Sequence, residues 1–143
     1  MNVYLESSAA LRELLGGAHA AEIRECLRAA DVVATSRLTL AEVGRVLARL
    51  RVTDPELSRA VAARESAWQS DSELWVVHPV DQDVLDRCAR VMPVEPVRTL
   101  DAIHLVSMQR LASAIPELVM LSTDERVRQN ARAFGHAVFP PRA

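Results

Sequence analysis

Short, β-branched apolar runs that alternate with segments of helical periodicity limit what this chain can become. "NVYL" at 2–5, "DVVATS" at 31–36, "ELWVVHPV" at 73–80, "ELVMLS" at 117–122 and "HAVF" at 136–139 read as strands. Between the first two, Leu11, Leu14 and Leu15 recur at helical spacing until Gly16-Gly17 stops them. Ile23, Cys26 and Leu27 then mark a helix over 19–30. Thr39 opens a helix whose apolar face is Leu40, Val43, Val46, Leu47 and Leu50. Thr53 or Asp54 caps the next, to residue 70, with Pro55 in its first turn. Further helices are predicted over 81–92, 99–114 and 123–134, the last closed by Gly135. Most of the strands are apolar on both faces. An α/β chain of this kind buries its strands between helices, as a three-layer α/β/α fold with a mainly parallel central sheet. At 143 residues, one domain over 1–143 is expected.

Charge excludes several chemistries. The net charge is −2, from 17 basic and 19 acidic residues, so nothing global pulls the chain toward nucleic acid. All 17 basic residues are Arg, which leaves no amine for a Schiff base or a phosphate-loop lysine. Cys26 and Cys88 lack the spacing of a zinc site or a disulfide framework and read as buried thiols in helices. No apolar run reaches the ~20 residues of a membrane helix, and the start lacks the pattern of a secretory signal. The expectation is a cytoplasmic protein with no membrane partner.

Open parallel sheets bind ligands beyond the carboxyl ends of their strands. Glu6 directly follows the first strand, Glu42 follows the second, Asp124 follows the fourth, and Asp101 opens the helix at 99–114. Each has a purely structural reading. Thr39 to Glu42 matches a capping box, Asp101 and Asp124 suit helix N-termini, and Glu6 could cap the helix near Ser8. Together, four carboxylates at one sheet edge would repel one another. A hard divalent cation, Mg²⁺ or Mn²⁺, removes that repulsion and takes oxygen ligands. Arg98 and Arg45 stand near Asp101 and Glu42 and suit a substrate phosphate or an ion pair. His104, three residues past Asp101, reads as packing rather than as a general base, and Trp68 and Trp75 read as core or dimer packing rather than as base-stacking platforms.

Four segments carry a resemblance. "VYLESSAALRELL", "LTLAEVGRVLARL", "RTLDAIHLVSMQRL" and "MLSTDERVRQNARAFGHAV" resemble, in order, the four motifs of PIN-domain proteins of the VapC type. The resemblance implies a Rossmann-like sheet and a Mg²⁺- or Mn²⁺-dependent endoribonuclease. It also implies the toxin of a toxin–antitoxin pair, forming a homodimer and held by a cognate antitoxin. The family's acids map onto Glu6, Glu42, Asp101 and Asp124, as catalytic residues and metal ligands. Ser8 and Thr123 map onto its supporting hydroxyl residues. The apolar faces of helices 38–52 and 54–70 are expected to form the antitoxin groove. The family's first acid is normally Asp, and here it is Glu6. The extra methylene moves the carboxylate by about 1.5 Å, against catalytic positions held to ~0.5 Å. The alternative is therefore a weakened PIN-like module that binds RNA or protein without cutting. A receiver-type phosphoacceptor is excluded by the missing Lys. A haloacid-dehalogenase-type site is excluded because Glu6-Ser7-Ser8 replaces its DxD spacing.

Overall fold

The apolar runs become strands of a single sheet in the computed structural model, which describes residues 1–141. They are β1 (Asn2–Leu5), β2 (Val32–Ser36), β3 (Val76–His78), β4 (Leu118–Leu121) and β5 (Val138–Phe139). Their order is β3-β2-β1-β4-β5 and every neighbouring pair is parallel. Parallel neighbours need crossovers, and helices supply them. α1 (Ser7–Leu15) and α2 (Ala20–Ala29) join β1 to β2, and α3 (Arg37–Thr53) and α4 (Pro55–Ser72) join β2 to β3. α5 (Gln82–Cys88) and α6 (Thr99–Ala112) join β3 to β4, and α7 (Glu125–Ala133) joins β4 to β5.

Alternation along the strands divides the core in two. Val3, Leu5 and Leu121 pack with Leu14, Ile23, Val43 and Trp68 on the α1–α4 face. Tyr4, Ala34 and Met120 pack with Ile103, Met108, Leu111 and Val127 on the α5–α7 face. The result is the expected three-layer α/β/α arrangement. From β1 the chain winds one way through β2 and β3, then returns to β4 on β1's other side. The crevice of such a sheet lies at this reversal, beyond the carboxyl ends of β1 and β4.

Several boundaries differ from the sequence reading. α3 starts at Arg37, because the Ser36 hydroxyl accepts the Leu38 N–H at 3.2 Å and is the cap. Thr39 is inside the helix and donates its hydroxyl to the Leu5 carbonyl at 3.3 Å, beside Thr35 at 2.6 Å. The strand expected over 73–80 shrinks to Val76–His78, since α4 runs on to Ser72 and a turn follows. The helix over 81–92 ends at Cys88, which is only half-buried and donates its thiol to the Leu85 carbonyl. Trp68 and Trp75 pack edge to face with centroids 5.3 Å apart, in the core as expected. Among the described residues no helix is long and apolar enough to cross a membrane.

Candidate active site

Glu6 continues β1 with extended backbone and donates its N–H to the Leu121 carbonyl at 3.0 Å. Strand parity puts it on the same side as Tyr4, facing α6. Its side chain makes no cap bond to α1, so the capping reading fails. Oε2 instead accepts the hydroxyls of Ser8 and, at 2.7 Å, Ser122. Ser8 also accepts the Thr123 N–H at 2.9 Å, and Ser122 accepts the Asp124 N–H at 3.1 Å. These bonds lock the turn after β1 to the turn after β4.

Glu42 lies in the second turn of α3, beyond reach of a capping box, because the helix starts earlier than Thr39 suggests. Its Oε2 accepts the Ser7 hydroxyl and lies 2.8 Å from His104 Nε2. His104 is 1% exposed. Its Nε2 is also 2.9 Å from Ser7 Oγ and 3.9 Å from Glu6 Oε1, and its Nδ1 is 3.1 Å from the Tyr4 hydroxyl. Burial opposes ionisation of Glu42, but the bonds from His104 and Ser7 and the positive charge of Arg98 outweigh it. Its carboxyl is held below the usual range. Burial, then the charge of Glu6, pushes Tyr4 well above the ordinary phenol value, so it stays a neutral hydroxyl.

Asp101 is buried in the first turn of α6, and Asp124 is the N-cap of α7. Asp124 Oδ1 accepts the N–H groups of Arg126 and Val127 at 2.9 and 3.3 Å, so its capping reading holds. Its Oδ2 faces Arg98 Nη2 at 3.2 Å. The same guanidinium bonds Asp101 through Nε at 2.9 Å. Asp101 in direct contact, then Asp124 and Glu6, raise Arg98 above its ordinary value. Arg98 is thus a resident cation, felt by all four acids, with its side chain 64% exposed.

The acids share one edge of the sheet but not one point. Among the described residues no cluster of three or more His, Cys, Asp or Glu side chains is gathered closely enough to hold one ion. Glu6 and Glu42 form one hydrogen-bonded set around His104, while Asp101 and Asp124 form another around Arg98. Three of the acids follow one rule. Glu6, Glu42 and Asp124 each anchor one oxygen on the protein and leave the other without a neutral donor among the described residues. Of the supporting residues, Ser8 and Arg98 join the constellation, and Thr123 does so through its backbone. Arg45 is exposed and its side chain makes no hydrogen bond or ion pair among the described residues. Sequence reasoning missed Ser7 and Tyr4 and left His104 as packing. The available signals were the parity of Tyr4 with Glu6 and the three-residue step from Asp101 to His104.

Comparison with known proteins agrees with this architecture. The chain is 33% identical over 139 residues to Ribonuclease VapC46 of Mycobacterium tuberculosis (strain ATCC 25618 / H37Rv), covering 97% of each. In structure it resembles a chain of FitAB bound to an IR36 DNA fragment, with TM-score 0.67 and 16% identity, over 96% of this chain and 93% of that one. It also resembles Mycobacterium tuberculosis VapC20, described as a Sarcin-Ricin loop cleaving toxin, with TM-score 0.62 and 18% identity over 95% and 97%. The PIN domain family model matches residues 3–133, and the chain belongs to the PIN-domain family.

Proposed function

We propose that this single-domain chain is an endoribonuclease that depends on Mg²⁺ or Mn²⁺ and serves as the toxin of a toxin–antitoxin pair in the cytoplasm. The observation that carries the reading is that Glu6, Glu42 and Asp124 each keep one carboxylate oxygen without a neutral donor at the sheet edge where Arg98 already plays a cation's part between Asp101 and Asp124. The donors are hard oxygens, which fit such an ion. Glu6, Glu42, Asp101 and Asp124 do not meet at one point as they stand, so they would hold it by drawing together, directly or through water, once Arg98 swings aside, which its exposure permits. The bound ion would supply an activated water and charge stabilisation on the phosphodiester. The chain's own part is positional. Ser8 and Ser122 orient Glu6, the α7 N-terminus orients Asp124, and the displaced Arg98 is free to take a phosphate oxygen.

The purified protein is expected to cut structured RNA with Mn²⁺ or Mg²⁺ and not with EDTA. Binding without cutting under every metal condition would overturn the enzyme reading. Because Arg98 and the ion compete for Asp101 and Asp124, Arg98→Ala is expected to bind Mn²⁺ about 3- to 10-fold more tightly by calorimetry while binding RNA more weakly. Unchanged Mn²⁺ affinity would remove the competition.

The second reading, a weakened binding module, rests on Glu6 in place of the family's Asp. The two hydroxyls on Oε2 speak against a lesion, since they are placed for the longer side chain. Glu6→Asp would pull back by about 1.5 Å and leave one of them, so cleavage should fall. A tenfold or greater rise in cleavage would instead identify Glu6 as the lesion.

For partners, the proposal is a homodimer and an antitoxin that docks in an apolar groove. The groove proposed between the helices at 38–52 and 54–70 would be formed by α3 and α4; α3 gives Val43 and Leu47 to the core and leaves Val46 and Leu50 only partly buried. A second candidate groove lies between α2 and α4, where apolar Leu27, Val33 and Trp75 are flanked by charged Arg24, Arg64 and Asp71.

A further inference from the structure

We infer that His104, braced from behind by Tyr4, is the positioning residue that fixes Glu42 at the acidic edge of the sheet. Glu42 hangs from the second turn of α3 with a flexible side chain and no backbone donor to hold it. Two side chains hold it, and both reach the same oxygen. Ser7 donates its hydroxyl to Oε2, and His104 Nε2 lies 2.8 Å from Oε2 and 2.9 Å from Ser7 Oγ. An ionised carboxylate only accepts, so Nε2 must carry the proton. Nδ1 then accepts the Tyr4 hydroxyl at 3.1 Å. The order is Tyr4 to His104 to Glu42, each group donating to the next.

Placement explains how His104 does this. α6 is buried through residues 101–108, so a polar side chain on it needs partners within the protein. His104 is one helical turn below Asp101 on the same face. Tyr4 is 0% exposed on β1, with the parity that aims it at α6. The ring therefore spans two elements and meets the third, α3, through Glu42. A hydrogen-bond partner behind a ligand fixes both tautomer and direction, and losing such a partner costs about 10- to 100-fold in metal affinity or activity. With Oε2 tied down, Oε1 is the oxygen of Glu42 left without a hydrogen bond among the described residues.

This role rests on the proposed metal site, and two separate readouts keep their failures apart. Nitrogen-15 spectra of the metal-free wild-type imidazole should show His104 protonated at Nε2. The neutral tautomer protonated only at Nδ1 overturns the role, whatever the protein does with metal. Mn²⁺ titration then compares wild type with His104→Leu, which fills the space without a donor, and His104→Gln, which keeps an amide N–H. His104→Leu is expected to lose about 10- to 100-fold in Mn²⁺ affinity, with His104→Gln recovering most of it. Tyr4→Phe, which removes only the brace, should lose less and serves where the leucine variant does not fold. A folded His104→Leu with wild-type Mn²⁺ affinity overturns the role. Failure of the wild type to bind Mn²⁺ counts against the metal site, and the tautomer still decides whether His104 fixes Glu42.

Discussion

Asp101→Asn is expected to lose at least about 100-fold in RNA cleavage and to bind Mn²⁺ correspondingly more weakly, while remaining folded. The substitution is nearly isosteric and removes only charge. Asp101 is the most buried acid facing Arg98, so its charge is the least screened by water among those on that side. Ion affinity at a carboxylate site follows the count of ligand charges, and at the proposed site one of four would be lost. The structural cost is small for a clear reason. The partner is an exposed guanidinium that keeps Asp124, and pairs of that kind contribute little to folding. The melting temperature should therefore move by no more than about 4 °C. A metal-dependent cleavage assay beside a thermal melt separates the two effects. Wild-type cleavage by the variant would remove Asp101 from the site.

Arg128→Met should do the reverse, lowering stability by about 2–5 kcal/mol through the backbone it supports. Arg128 is 0% exposed. Its Nη1 donates to the Ser122 carbonyl at 2.8 Å and its Nη2 to the Pro140 carbonyl at 2.8 Å, while Nε reaches Glu125 at 3.2 Å. Replacing a buried ion pair by hydrophobes is often harmless, because both charges can leave together. That escape is closed here. The principal acceptors are peptide carbonyls that stay buried, and each orphaned one costs about 1–3 kcal/mol. The loss corresponds to a melting temperature lower by roughly 10 °C, measurable by circular dichroism. Ser122 also donates to Glu6, so the same variant should loosen the edge of the site. A methionine variant as stable as wild type would show that the carbonyls find other donors.

The layers were readable because each rests on local pattern. β-branched runs between amphipathic segments admit few folds other than a covered parallel sheet, and the acids could be placed because parallel strands deliver whatever follows them to one edge. The near-continuous burial of α6 was harder to see, since a helix apolar on most sides has no stripe to read. The start of α3 was misplaced because Ser36 and Thr39 are both acceptable caps in sequence. Only the nearby Leu5 carbonyl, which takes the Thr39 hydroxyl, decides between them.

By itself the chain of residues determined the strand–helix alternation, the parallel sheet and the four carboxylates at its edge, since these follow from periodicity and connectivity. Tertiary structure alone decided the partners of the carboxylates that lie far away along the chain. Tyr4 and His104 are 100 residues apart, Glu42 and His104 are 62 apart, and Arg98 reaches Asp124 across 26. Hydrogen bonds act over about 3 Å of space whatever the distance along the chain, so they become readable only once the sheet has brought its loops together.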